Sequence, residues 1–157
     1  MKQLQLATFG AGCFWQTENE FMNLPGITKT SVGYMGGDFP HPSYLDVVAR
    51  ITGHAEVAQI EYNPELITYE ELLTIFWQIH DPTSLNRQGA DRGEQYRSVI
   101  FYHTLQQQQI AHKSKLQLQH LGKYERDIVT QIKPAKEYWL ATKDHQQYLA
   151  KKARLVN

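Results

Sequence analysis

Apolar and polar positions change period several times along the 157 residues, and each change marks an element. Residues 4–9 (LQLATF) crowd apolar and β-branched side chains ahead of a glycine turn, which predicts a short strand. From Cys13 to Leu24 the apolar positions Phe14, Trp15, Phe21, Met22 and Leu24 recur at near-helical spacing until Pro25-Gly26 stops them. Residues 27–35 (ITKTSVGYM) predict a second strand, followed by a glycine- and proline-rich loop, GGDFPHPS. Residues 56–62 (EVAQIEY) alternate as a third strand, ended by Asn63-Pro64. Thr68 and Glu71 form a capping-box signature ahead of a helix to His80, with Leu72, Leu73, Ile75, Phe76 and Ile79 on its apolar face. A long polar loop, TSLNRQGADRGEQ, is of the kind that lines a site.

A strand over SVIFYH comes next, then a helix within 104–122, where the glutamines 106–109 read as a solvated face. Residues 127–132 (DIVTQI) predict a last strand, and a tail from about 134 ends in a short helix near DHQQYLAKK. Strands and helices interleave without repeats or linkers. The expectation is one α/β or α+β domain over 1–157, with helices on one face of a mixed sheet.

A chain of this length buries enough core to fold without staples. Its 16 basic and 16 acidic side chains balance, which points away from nucleic acid and anionic membranes and toward a protein or small-molecule partner. No run of about 18 apolar residues appears, so no spanning helix is predicted. The first ten residues lack the apolar run of a secretory signal, and a single cysteine allows no intramolecular disulfide. A soluble cytoplasmic monomer, with Cys13 kept as a thiol, is expected.

Cys13 is the residue to weigh. A lone cysteine is most often a small buried hydrophobe, but this one opens a helix, where the dipole and free amides stabilise a thiolate and lower the thiol pKa. The GAG run resembles a dinucleotide fingerprint only until its third small position, which falls on Trp15. Glu56 opens a half-apolar strand, where burial would raise its pKa and leave it a proton donor; taken alone, such a glutamate is usually a solvated edge residue. Tyr44 closes the glycine-proline loop, and Tyr96 ends the long polar one. The seven histidines (41, 54, 80, 103, 112, 120 and 145) show no H-x-x-x-H pair, and no metal site is expected; His54 is the candidate partner for Cys13 in a Cys-His hydrolase.

Taken together, GCFW at 12–15, VGYMGG at 32–37, Pro-x-Tyr at 42–44, TGHAEV at 52–57, FWQIHDPT at 76–83 and RGEQYRS at 92–98 closely resemble the peptide methionine sulfoxide reductases of the A type. KPAKEYW and HQQYL extend the resemblance over nearly the whole chain. It implies a ferredoxin-like α/β plait. It also implies that Cys13 is the nucleophile and Glu56 the acid that protonates the sulfoxide oxygen. Tyr44 and Tyr96 would donate hydrogen bonds to that oxygen, Phe14 and Trp15 would hold the methyl group, and Asp91 would be a further site acid. The implied substrates are methionine S-sulfoxide, free or in oxidised proteins, and the product on Cys13 is a sulfenic acid.

Two departures stand out. Many members of the family carry further cysteines near the C-terminus, whereas KKARLVN has none, so no bound cofactor but an external thiol, either thioredoxin or glutathione with glutaredoxin, is expected to regenerate Cys13. ATKDHQQYL also lacks the acidic and aromatic run that the family tends to place before HQQYL. Two other functions stay open on the residues alone: a one-cysteine peroxidase, and a non-enzymatic module that binds oxidised methionine.

Overall fold

The computed structural model describes residues 3–156. Four strands form the heart of the sheet: β1 (Gln5–Ala11), β2 (Ile27–Met35), β3 (Ala55–Tyr62) and β6 (Ser98–Tyr102). α1 (Phe14–Phe21) connects β1 to β2, and α3 (Tyr69–Gln78) connects β3 to β6. The smaller elements are α2 (Tyr44–Val48), a hairpin of β4 (Arg87–Gln88) and β5 (Asp91–Arg92), α4 (Leu105–His120), β7 (Gln131–Pro134), β8 (Trp139–Leu140) and α5 (Tyr148–Val156). The six-stranded sheet runs β7-β6-β1-β3-β2-β8, antiparallel throughout except for the parallel β6–β7 pair. The central order with two crossover helices is the expected ferredoxin-like plait.

Alternation along the strands decides which residues meet. Ala7, Phe9 and Ala11 of β1 share a face with Ala58 and Ile60, because Phe9 lies opposite Ala58 and Ala7 opposite Ile60. α1, α3 and α4 cover that face, and the Phe9 ring meets Phe21 at 5.6 Å, Tyr69 at 6.1 Å and Phe76 at 5.0 Å. The Thr68 capping box forms as predicted and starts α3. On the opposite face Met35, Val57, Val99 and Phe101 pack under Ala135 and Tyr138, so the predicted tail is a layer of the fold.

Several elements lie elsewhere than the pattern predicts. The strand predicted over 127–132 is 131–134, with Ile128 buried ahead of the ladder, and it is not the last, because β8 follows it. α1 stops at Phe21 rather than Leu24, and α5 starts at Tyr148. The glutamine run is not all solvated, because Gln107 is buried: its amide donates to the Leu6 carbonyl at 2.8 Å and its Oε1 accepts from the His103 amide at 2.8 Å. In exchange Leu105, Leu116 and Leu121 face solvent. The glycine-proline loop holds α2, capped by a reciprocal Ser43–Asp46 box.

His54 does not serve Cys13. Its Nδ1 accepts from the Gly37 amide at 3.0 Å, and its Nε2 is 2.7 Å from the Phe39 carbonyl, so both ring nitrogens tie the glycine loop to the segment that enters β3. A side chain at Gly37 would run into the Thr52 carbonyl, with the His54 nitrogen at 2.8 Å, all of it backbone. Gly37→Ala should therefore lower stability by about 2–3 kcal/mol in urea unfolding. Gly122→Ala, at φ +64° with nothing nearby, should cost only about 1 kcal/mol.

Candidate active site

Gly12 follows β1, and its φ of +94° turns the chain sharply into α1 and leaves Cys13 as the N-cap residue. Gln88 of the β4–β5 hairpin closes over this turn, 3.0 Å from where a Gly12 side chain would begin. Cys13 is half-buried, and backbone amides of Trp15 and Gln16 point at its thiol and favour the thiolate. Burial outweighs them, and the nearby charges of Glu56 and Asp91 act in the same direction, so the thiol is pushed up to about 11. The lowered thiol pKa expected from the helix end is thus reversed in the resting protein.

Glu56 approaches from β3, directly opposite Tyr34 of β2 and on the helix-bearing face of the sheet. It is 1% exposed, and the Phe14 amide, the first free donor of α1, gives a hydrogen bond to its Oε1 at 3.2 Å. Oε2 has no partner among the described residues, and neither has the buried Tyr34 hydroxyl. Burial raises the carboxyl from its ordinary 4.5 to about 7, with the Phe14 amide pulling the other way and Asp91 adding to the rise. A carboxyl that still holds its proton near neutrality thus stands beside the thiol.

Tyr44, the first residue of α2, and Tyr96, from the 3-10 turn Glu94–Tyr96, are brought to the same place. Both hydroxyls are driven upward, first by burial and then by Glu56; each also responds to Cys13 and Asp91. Asp91 sits on β5 and is exposed. All five polar residues singled out in the sequence therefore share one electrostatic neighbourhood. Arg50 links two of its walls, donating from the end of α2 to the Arg92 carbonyl at 2.8 Å.

Phe14 and Trp15 form an aromatic side to the site. The Phe14 ring lies 5.6 Å from Tyr34. Trp15 stacks on Tyr148 at 3.9 Å, and its indole N–H donates to His145 Nδ1 at 3.1 Å. His145 in turn lies 4.6 Å from the Tyr44 ring. Tyr34, His145 and Tyr148 are site residues beyond those the sequence points to; VGYMGG carries the first, and HQQYL, with His and Tyr three apart, the other two. Among the described residues no group of three or more His, Cys, Asp or Glu side chains is placed to hold a metal, and no helix is long and apolar enough to cross a membrane.

A thiol paired with a proton-holding carboxyl, rather than with a histidine base, suits reduction of a substrate whose oxygen must leave, and defines a cysteine-dependent oxidoreductase. Residues 5–156 match the family model for peptide methionine sulfoxide reductase. Peptide methionine sulfoxide reductase MsrA 1 of Nostoc sp. is 62% identical over 151 residues, covering 96% of this chain and 93% of its own. The crystal structure of reduced Mxr1 from Saccharomyces cerevisiae superposes with a TM-score of 0.90 at 39% identity, over 97% of this chain and 87% of that one. Mxr1 in complex with Trx2 matches at a TM-score of 0.66 and 30% identity, over 93% and 85%. The chain belongs to the peptide methionine sulfoxide reductase family, A type, and is an enzyme that reduces methionine sulfoxide by cysteine thiolate chemistry.

The raised groups set two pH dependences. Alkylation of Cys13 should accelerate with pH toward a midpoint near 11, and Glu56→Gln, by removing a negative charge, should move that midpoint down. Because folding raises the Glu56 pKa, its contribution to stability is fully present below about 4.5 and is lost as pH rises through about 7. Glu56→Gln should accordingly stabilise the protein at pH 8 by roughly 2–3 kcal/mol and change little at pH 4.

Proposed function

We propose that this enzyme reduces the S epimer of methionine sulfoxide, free and in oxidised proteins, with Cys13 as nucleophile and Glu56 as general acid. The observation that carries the reading is the meeting of these two groups at the start of α1, where the Phe14 amide holds Glu56 at 3.2 Å. Phe14 and Trp15 receive the sulfur-bound methyl group. Tyr44 and Tyr96 donate to the sulfoxide oxygen, and Asp91, by its charge, helps keep the proton on Glu56.

Proton bookkeeping follows from the two pKa values. At pH 8 the resting pair holds one proton, mainly on the thiol, as Cys13–SH with Glu56–COO⁻. The reactive arrangement, Cys13–S⁻ with Glu56–COOH, has the same composition and is the minor form, because the thiol holds its proton more tightly than the carboxyl does. From it the thiolate attacks sulfur while Glu56 protonates the departing oxygen. The S–S bond formed by the attack then breaks together with the substrate S–O bond as the hydroxyl passes to the Cys13 sulfur, leaving Cys13 as a sulfenic acid, two electrons oxidised, and releasing methionine with its sulfur reduced by the same two electrons. Oxygen-directed donors act only as negative charge builds there, which is where they accelerate the step.

Regeneration then requires two thiol equivalents, which release water and form a disulfide between them. The 157 residues hold one cysteine, so these equivalents come from outside: thioredoxin, or glutathione with glutaredoxin. The Mxr1–Trx2 complex supports the first source. The enzyme acts as a monomer in the cytoplasm, where a reducing environment keeps a lone thiol available.

In single turnover without reductant, the S epimer should yield one methionine per protein and a gain of one oxygen at Cys13, and the R epimer neither. Release from both epimers would remove the stereochemical claim. Cys13→Ser should abolish the reaction, and Glu56→Gln should slow the chemical step by about 10²- to 10⁴-fold. A loss below about twofold would take Glu56 out of the acid role.

A further inference from the structure

Glu18 takes no part in the chemistry above, yet it is a carboxyl with 1% exposure on α1, one turn beyond Trp15. No cation pairs with it among the described residues. Its oxygens accept three hydrogen bonds instead: the Gln147 backbone amide donates to Oε1 at 2.8 Å, the Gln147 side-chain amide to Oε2 at 2.8 Å, and the Thr30 hydroxyl to Oε2 at 2.8 Å. Two of the three bonds thus reach across 129 residues to a single glutamine.

That glutamine is strained. Gln147 has a φ of +48°, in the left-handed region, which costs a non-glycine residue about 1–2 kcal/mol unless its surroundings hold it there. The pair of hydrogen bonds to Glu18 is such a hold. Gln147 lies between the 3-10 turn that ends at His145 and the first residue of α5, Tyr148. The reversal at Gln147 lets His145 and Tyr148 both reach Trp15, one by hydrogen bond at 3.1 Å and the other by stacking at 3.9 Å. Gln146 fixes the preceding step to β2: its Oε1 accepts from the Val32 amide at 2.8 Å and its amide donates to the Val32 carbonyl at 2.9 Å. α1 therefore carries both Trp15 and the carboxyl that holds the His145–Tyr148 segment against it.

We propose that Glu18 is a positioning residue for substrate binding: through Gln147 it sets the His145–Tyr148 wall against Trp15 and so fixes the place of the indole that lines the methyl site. The proposal rests on the reading of Phe14 and Trp15 as the methyl site. Glu18→Gln turns an amide donor toward the Gln147 donors and should open that wall. The sulfoxide concentration that half-saturates single turnover should rise about tenfold, while the rate constant at saturation stays within about threefold. The rise should nearly vanish in a Trp15→Phe background, since both changes release the same contact.

A folded Glu18→Gln protein with lower stability but unchanged half-saturation would overturn the proposal, as would a rise that multiplies in full with Trp15→Phe. Should Glu18→Gln not fold, Gln147→Ala removes one of the two tethers; it should raise half-saturation in the same direction, and a folded Gln147→Ala protein without that rise would also overturn it. Failure here, with S-epimer turnover intact in the wild-type protein, leaves the enzymatic reading standing; absence of that turnover would remove both.

Discussion

The bond from the Phe14 amide to Glu56 joins the start of a helix to the middle of a sheet, and the site is organised around it. The helix start offers amides that must find acceptors, and β3 brings a carboxyl that has been stripped of water. Each satisfies the other only in part. One amide bond is too little to offset the loss of solvent around Glu56, so the carboxyl keeps its proton to about pH 7. Cys13 shares the same helix end and the same burial, and its thiol moves up for the same reason. Desolvation thus raises both groups, and it leaves the pair with one proton to pass between them over the neutral and alkaline range.

Around this pair the chain has to bring loops from distant parts of the sequence. α2 delivers Tyr44, the β4–β5 hairpin delivers Asp91, and a 3-10 turn delivers Tyr96. Each is short, and each is tied by backbone-directed bonds: the Ser43–Asp46 box, Arg50 to the Arg92 carbonyl, and the Arg97 guanidinium to the carbonyls of Gly53 at 3.1 Å and Glu94 at 2.9 Å. The C-terminal segment supplies both the cover on the far face of the sheet and, through His145 and Tyr148, the aromatic wall by Trp15. A plait with a bare second face would leave Val57, Val99 and Phe101 in water, so the layer that stabilises the sheet also completes the site.

What was legible in the sequence was what local pattern determines. Apolar clustering before a glycine turn marks β1, alternation marks β3, and the Thr68–Glu71 spacing marks α3, because those signals act within a few residues. The helix position of Cys13 is legible in its neighbours, whereas Glu56 alone reads as a solvated strand edge and only the fold buries it. The thiol pKa is not legible either, since the amides that lower it are local while the burial that raises it comes from elements far along the chain. β8 is two residues long and exists only through its pairing with Gly33 and Tyr34. Gln107 looks solvated in a glutamine run, and only the fold reveals that the Leu6 carbonyl and His103 amide need it. Trp15 meets His145, and Glu18 meets Gln147, across more than a hundred residues, beyond the reach of any spacing rule. The Ser43–Asp46 cap was in plain view, but the surrounding glycines and prolines masked the short helix it starts.

The central claim is that Glu56 carries a proton near neutral pH because it is buried beside Cys13. The most direct test is infrared difference spectroscopy of the wild-type protein against Glu56→Gln, following the protonated carboxyl band as pH is raised. A band assigned to Glu56 that persists at pH 6 and disappears with a midpoint near 7 is the expected result. A carboxyl already ionised by about pH 5, close to the ordinary value, would contradict the account and leave the sulfoxide oxygen without the acid assigned to it.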